Sequence, residues 1–252
     1  METLFVGQNQ YFLPRVESTN TYATGLLRNV NIPEGTIVYT DHQTQGRGQR
    51  GNSWIAEPAS NITASIILNP LFLGLKKTFC ISKIAALAVH DVLTENLTHG
   101  QFDIKIKWPN DILVNTRKIA GILIENQVQT GRLAHSVIGI GLNVNQTEFG
   151  DVPATSFKSL LGVNCDRKLV LSQLCKHLEK WYLRLKKGAF TEIDQAYFQA
   201  LYGYKQSLSF RDEAGLVFDA VLQNVTEEGL LVLVLDNHVV KHYDIKEITL
   251  LR

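Results

Sequence analysis

Fourteen residues, Asp41 to Trp54 (DHQTQGRGQRGNSW), place Gly46, Gly48 and Gly51 among Arg47 and Arg50. Glycine lets the backbone take positive φ and lets a ligand lie close against the amides. The planar donor fork of arginine suits phosphate or carboxylate. A loop of this composition reads as a mobile clamp for an anion. The plain alternative is a solvated glycine loop. The letters also satisfy G-x-G-x-x-G, which marks a dinucleotide site only between a strand and a helix. Thr36 to Tyr39 supplies a strand-like stretch before it. After it, Asn52, Ser53 and Trp54 lead to Glu57-Pro58 and another strand-like run with no helix, which argues against a Rossmann site.

Two further stretches carry chemistry. In KWPNDILVNTRKIAGILIEN, Lys107 to Asn126, a lysine stands where proline breaks a strand. Beside a cationic loop, Lys107 would neutralise a carboxylate attacking a phosphate; by itself it also reads as a surface charge. Asn110 and Asp111 read as turn formers or as ligands, and Lys118 as a solvated lysine on a strand. In IGIGLNVN, Ile138 to Asn145, Gly139 and Gly141 share one face of a strand, with Asn143 on the same face. Glycine weakens a strand unless something lies close against its backbone. A flat ligand packed across Gly139 and Gly141 is one reading; a bulge or close strand packing is the other.

These residues need a scaffold, and the chain supplies one. Leu13 to Val16 reads as a short strand, and Glu17-Ser18-Thr19-Asn20 offers caps for a helix carrying Tyr22-Ala23 and Leu26-Leu27. Asn61 to Leu68 is the strand after the glycine loop. Lys76 to Leu97 predicts a helix with Ile81, Ile84, Ala85, Ala88, Val89 and Val92 on one face, Cys80 packed and His90 at the surface. Ile104 to Trp108 and Asp111 to Val114 alternate as strands, with a hairpin turn at Asn115-Thr116-Arg117. Lys118 to Val128 and Leu133 to Val144 form a second hairpin around Thr130-Gly131. The middle of the chain is thus a mostly antiparallel sheet with a helix on one face. Thr155 to Gly162, Arg167 to Lys187 and Thr191 to Tyr202 read as helices, the second with a core stripe of Leu169, Leu171, Leu174, Leu178, Trp181 and Leu185. From Gly203 onward, short strands separated by turn signals predict a small barrel.

Composition excludes several classes. The chain has 252 residues, 45% hydrophobic and 19% charged, within the range of soluble globular proteins. A formal net charge of +1 gives no global field toward nucleic acid. Three cysteines, Cys80, Cys165 and Cys175, form no CxxC pair, and their odd number fits reduced thiols in a cytoplasmic setting. The seven histidines make no HxxxH or HxH pair, so no metal-ligating residues are assigned. The N-terminus lacks the pattern of a signal peptide, and no apolar run approaches the ~20 residues of a membrane span.

Together, Glu17-Ser18-Thr19-Asn20, Gln43 through Trp54, Lys107-Trp108-Pro109-Asn110-Asp111, Lys118 to Glu125, Gly139 to Asn145 and Ala154-Thr155-Ser156 resemble the biotin protein ligases, in family order and spacing. The resemblance spans nearly the whole chain. It implies an α+β, class II synthetase-like catalytic domain over residues 1–202, with a mixed, mostly antiparallel sheet, and an SH3-like barrel over 203–252. It implies that biotin and ATP, with Mg²⁺, give biotinyl-5′-AMP and pyrophosphate. Biotin then passes to a lysine of biotin carboxyl carrier protein. Arg47, Arg50 and Lys107 become the catalytic cations. Ser18, Thr19, Asn20, Gln43, Gly46, Arg47, Gly48, Gln49, Lys107, Gly121, Gly139 and Gly141 become biotin-binding. Arg47, Arg50, Trp54, Asn110, Lys118 and Asn143 become adenylate-binding. No protein nucleophile is required, because the acceptor lysine attacks directly.

One departure lies inside the loop: many family members read GRGRRG, and here Gln49 stands at the second arginine. An active enzyme with leakier release of biotinyl-AMP is the expectation. Another is that too few residues precede Ser18 for the N-terminal winged-helix domain of some bacterial members, so DNA binding is not expected. A monomer or homodimer without membrane attachment is expected. The alternatives are a lipoate or octanoate ligase or transferase of the same fold, and a non-catalytic biotin-binding module. A thioether-linked acyl mechanism would want a reactive cysteine, and none lies in the three motifs.

Overall fold

The computed structural model describes residues 2–29, 31–98, 102–236 and 238–251, with the side chains of Asn29 and Arg50 set aside. The chain opens with β1 (Gln10–Val16), α1 (Thr19–Asn29) and β2 (Ile37–Gln43). β1 and β2 run parallel, with α1 as the crossover between them. Ser18 begins α1: its carbonyl accepts from the Tyr22 amide at 3.0 Å, and Oγ lies 3.4 Å from the Thr21 amide. β2 runs four residues beyond the predicted Tyr39 and so delivers Gln43 at the start of the glycine loop.

β3 (Ile62–Leu68) is buried along its whole length. α2 (Phe79–Asn96) follows, then β4 (Ile104–Lys107), β5 (Asp111–Val114), β6 (Arg117–Gln129) and β7 (Arg132–Leu142). Asn115 and Thr116 both take positive φ in the β5–β6 turn, as a two-residue hairpin requires. Thr130 and Gly131 do the same between β6 and β7. The sheet order is β1-β2-β3-β7-β6-β5-β4, and every neighbouring pair after β1–β2 is antiparallel.

The expectation of a helix on one face needs correction, because helices cover both. Val38, Ile67 and Val137 bury Ala23 of α1 on one side. On the other side the six aliphatic residues assigned to the α2 stripe are all fully buried. α2 also buries Phe79, Cys80, Lys83, Ala86, Leu87 and Leu93, so it is enclosed nearly all round rather than along a stripe. His90 is half-buried, not a surface residue, and desolvation lowers its pKa.

After β7 comes the short α3 (Phe157–Leu161), whose first amides donate to the Asn143 and Val144 carbonyls, and then α4 (Arg167–Lys186) and α5 (Phe190–Ala200), which pack on α2. Asp166 caps α4 by accepting from the amides of Lys168 and Leu169. Leu169 does not join the α4 core stripe: it is 57% exposed, while Leu171, Leu174, Leu178, Trp181 and Leu185 are buried.

The C-terminal strands are β8 (Ser207–Asp212), β9 (Val217–Val225), β10 (Leu231–Leu235), β11 (Val240–Tyr243) and β12 (Ile248–Leu250). They form a separate five-stranded antiparallel sheet in the order β11-β10-β9-β8-β12. Phe210, Ala220, Leu222, Leu231 and Leu233 give it a buried face. The Trp108 indole donates to the Gly229 carbonyl at 3.0 Å, tying this sheet to the β4–β5 turn.

Candidate active site

A cavity opens on the α1 side of the large sheet. It is lined by Ser18, Thr19, Asn20, Gln43, Arg47, Gly48, Gln49, Asn52, Ser53, Trp54, Thr63, Ala64, Asn110, Asp111, Lys118, Gly121, Ile122, Leu123, Gly139, Ile140 and Gly141. Each of the three stretches singled out in the sequence contributes to it.

The floor is polar and ordered. Gln43 Oε1 accepts from the Thr19 amide at 2.8 Å, and Ser65 Oγ lies 2.8 Å from the Thr19 hydroxyl. Ser65 donates to Asn20 Oδ1 at 2.6 Å. Asn20 Nδ2 donates to the Leu123 carbonyl and, at 2.8 Å, to Glu125. These side chains leave the tip of α1 little freedom, so the floor presents fixed donors and acceptors.

The glycine loop folds over the cavity as a short flap. Arg47 bridges to Ser53, the Trp54 amide donates to the Gly46 carbonyl at 2.9 Å, and a three-residue 3₁₀ turn, Gln49–Gly51, makes the bend. No α-helix follows, in keeping with the rejection of a Rossmann site. Gly46 itself faces the outer groove rather than the cavity. A Cβ on Gly46 would stand 2.1 Å from the Trp54 carbonyl oxygen, so this crossing requires glycine.

The flap sends the Trp54 indole down onto the sheet. A Cβ on Gly141 would meet Trp54 Cε2 at 2.2 Å, and one on Gly121 would meet Cζ3 at 3.0 Å. A Cβ on Gly139 would meet Asn20 Oδ1 at 2.4 Å. The glycine faces thus admit a close approach, as their spacing suggested, and in this structure the protein's own Trp54 and Asn20 make it. The Trp54 Nε1 atom is buried there without a hydrogen-bond partner.

Lys118 is the lysine that reaches the cavity. β5 and β6 pair Asp111 with Gly121 and Ile112 with Ala120, then Leu113 with Lys118, so Ile119 is the extra residue of a bulge. Strict alternation would put Lys118 and Gly121 on opposite faces; the bulge puts them on the same one. The bulge is held by the Asn143 amide, which donates to the Ile119 carbonyl at 2.9 Å. Lys118 Nζ lies 2.6 Å from Asp111 Oδ1 and 5.5 Å from the centroid of the Trp54 ring. With 28% of its side chain exposed, it is not the solvated lysine that its strand position suggested.

Other expected residues lie elsewhere. Lys107 ends β4 half-buried, in register with Asp111, and is not among the described residues lining the cavity. Asn143 does not line it either: the residue is buried and its Nδ2 donates to the Thr155 carbonyl at 3.0 Å, so it braces the loop beneath Lys118. Asn110 lines the cavity while its Nδ2 donates to the Ile122 carbonyl at 2.9 Å, so it is turn former and wall at once. The Arg50 side chain lies outside the described residues. Sequence reasoning did not name Asp111 or Glu125 as partners of the cationic residues. Their only signal was an acidic residue near each basic one.

The electrostatic pattern is simple. Arg47 Nη2 lies 2.9 Å from Glu125 Oε2 at the mouth, and Lys118 pairs with Asp111 inside. Each of these two cations therefore rests on a carboxylate that an anionic ligand can replace. No cysteine is among the described lining residues. Burial raises all three thiol pKa values, that of Cys175 to about 12, which removes thiolate chemistry at neutral pH.

A polar-floored slot on a mixed sheet, flanked by paired cations and covered by a glycine-arginine flap, defines a class of acid-activating enzyme. Residues 12–143 match the biotin/lipoate A/B protein ligase family, and the chain belongs to it. It is 33% identical over 249 residues to the bifunctional ligase/repressor BirA of Bacillus subtilis, covering 96% of this chain and 74% of that protein. It is 32% identical over 192 residues to the biotin–[acetyl-CoA-carboxylase] ligase of Paracoccus denitrificans, covering 73% of this chain and 78% of that one. Among solved structures it resembles the biotin protein ligase from Aquifex aeolicus in complex with biotin and ATP. That match has a TM-score of 0.78 at 26% identity and covers 97% of this chain and 99% of the other.

Proposed function

We propose that this chain is an ATP-dependent biotin–protein ligase in which Lys118, rather than Lys107, is the lysine at the reacting groups. The observation that carries the second part is the β6 bulge, which aims Lys118 into the slot beside Asp111. In the first step the biotin carboxylate attacks the α-phosphorus of ATP and pyrophosphate leaves. Two anions must approach one another, and fixed cations offset that repulsion. Lys118 faces this meeting point from the sheet and Arg47 from the flap. Thr19, Asn20 and Gln43 orient the polar end of biotin on the floor. Trp54 lies where the acyl chain or the adenylate must pass, so the indole moves when the slot fills.

Mg²⁺ bound with ATP would neutralise and orient the phosphates. Asp111 and Asn110 are oxygen-bearing side chains on the slot wall of the kind that hard cation prefers. In the second step the amine of an acceptor lysine attacks the acyl carbonyl and AMP leaves. The mixed anhydride hydrolyses readily, and the flap of Gly46 to Trp54 is placed to exclude water from it. A carrier-domain acceptor is the partner this chemistry asks for. The outer groove, lined by the flap, by β6 and by Asp244, Ile245 and Lys246 of the β11–β12 turn, is its route in.

The test is to incubate the protein with biotin, MgATP and a carrier domain and to weigh the acceptor. A biotin-sized mass gain that disappears in Lys118→Ala supports the reading. A gain with lipoate or octanoate in place of biotin would move the substrate to the sister branch of the family. No gain with any acid would end the ligase reading.

A further inference from the structure

Glu125 lies within β6, paired with Val137 of β7 and outside the group of residues that line the slot. One of its oxygens, Oε2, holds two partners from different parts of the site. Asn20 Nδ2, on the floor, donates to it at 2.8 Å, and Arg47 Nη2, on the flap, donates to it at 2.9 Å. Asn20 is 4% exposed, and its amide oxygen is fixed by Ser65, which in turn touches Thr19. The path therefore runs without a gap from a buried floor to an exposed arginine. Because both bonds meet at one oxygen, a movement of the Glu125 carboxylate reaches both partners.

We propose that Glu125 is a positioning residue that couples occupancy of the polar floor to the placement of Arg47. A ligand that hydrogen-bonds at Thr19 and Asn20 shifts or tightens the amide that anchors Oε2, and the guanidinium is repositioned with it. A filled floor thereby prepares the flap for the second, phosphate-bearing substrate. The inference rests on reading the slot as the site for biotin and ATP. The chemistry requires differential contact in the two states, and the shared oxygen is the element that both sites bias.

The experiment is calorimetric. A non-hydrolysable ATP analogue with a methylene bridge between the α- and β-phosphates is titrated into the protein with and without saturating biotin. The ratio of the two dissociation constants measures coupling and cancels whatever a variant does to either ligand alone. In the wild type the ratio is expected to be at least about fivefold, the lower end of ordinary coupling between sites. In Glu125→Gln, which keeps an acceptor oxygen for Asn20 but loses the charge that holds Arg47, the ratio falls toward one. Arg47→Met gives the same loss, and the double variant loses no more than either single one, because both cut the same path. A wild-type ratio of one overturns the proposal, as does a ratio that Glu125→Gln leaves intact. Failure of the wild type to bind biotin at all is a distinct result, which would sink the functional reading instead.

Discussion

At the scale of the residue, the site's chemistry depends on which lysine the backbone turns inward. Lys118 has Asp111 at 2.6 Å and the slot in front of it, whereas Lys107 ends its strand outside the lining. Replacing Lys118 by alanine should lower biotin-dependent ATP–pyrophosphate exchange by about 10²–10³-fold, the usual loss for one preorganised electrostatic group. Lys107→Ala should lose far less, and equal losses in the two variants would contradict the placement. Gln49 also lines the slot and carries no charge where the resemblance to the family leads one to expect arginine. Restoring arginine should cut stray labelling of a non-acceptor protein by about two- to fivefold, the worth of one partly exposed ionic contact. If labelling at matched adenylate formation does not fall, Gln49 is not the cause of any leak. The residue types of the site were legible in the sequence, and so was the close approach at Gly139 and Gly141. The orientation of Lys118 was not. Alternation reads a strand as regular, and the one inserted residue at Ile119 reverses the face of everything before it.

At the scale of the element, the seam between α2 and α4 carries a charged cluster away from the slot. His177 Nε2 lies 2.6 Å from Glu95, and Nδ1 lies 3.4 Å from Asp91. Asp91 also accepts from Lys180 and from the Trp181 indole, both at 3.0 Å. The Asp91 carboxylate facing the ring is the leading cause that raises the His177 pKa above its ordinary 6.5. Against the opposing effect of burial, the nearby His177 ring and the bonds from Lys180 and Trp181 hold Asp91 down at about 2. The histidine's contribution is complete below its unfolded pKa near 6.5 and disappears as pH rises through the higher folded value. Asp91 contributes above its unfolded pKa of 3.8, and that contribution disappears as pH falls toward 2. The seam is therefore strongest between about pH 4 and 6.5. His177→Gln should lower stability by about 1 kcal/mol at pH 5.5, and the difference should shrink by pH 9. Denaturant midpoints of wild type and variant at the two pH values would show it; a difference independent of pH would mean that shape, not charge, is lost. The helices meeting here were legible from their apolar spacing. Their enclosure was not, because an α2 rich in small and aliphatic residues reads as one face whether one side or all sides are covered.

At the scale of the whole molecule, the slot belongs to the large sheet, and the outer groove belongs to both sheets. Asp244, Ile245 and Lys246, in the turn between β11 and β12, line that groove opposite the flap. Their position depends on how the C-terminal sheet is seated, and two contacts at Gly229 seat it. The Gly229 carbonyl accepts from the Trp108 indole at 3.0 Å. Its backbone also lies flush on Phe79 at the start of α2, where an added Cβ would meet Cδ2 at 2.5 Å, and its φ is +97°. Alanine there suffers both the clash and the backbone strain, which together should cost about 2–3 kcal/mol, seen as a lower denaturant midpoint. The functional consequence should be unequal. Among the described residues, the slot lining comes wholly from residues 18–141, so biotin affinity should hold in the folded variant. Transfer to the carrier domain should slow, because the far wall of the acceptor's route has moved. A rise in the carrier KM with an unchanged rate of pyrophosphate exchange would place the C-terminal sheet in acceptor recognition. Equal damage to both half-reactions would place it in support of the slot itself.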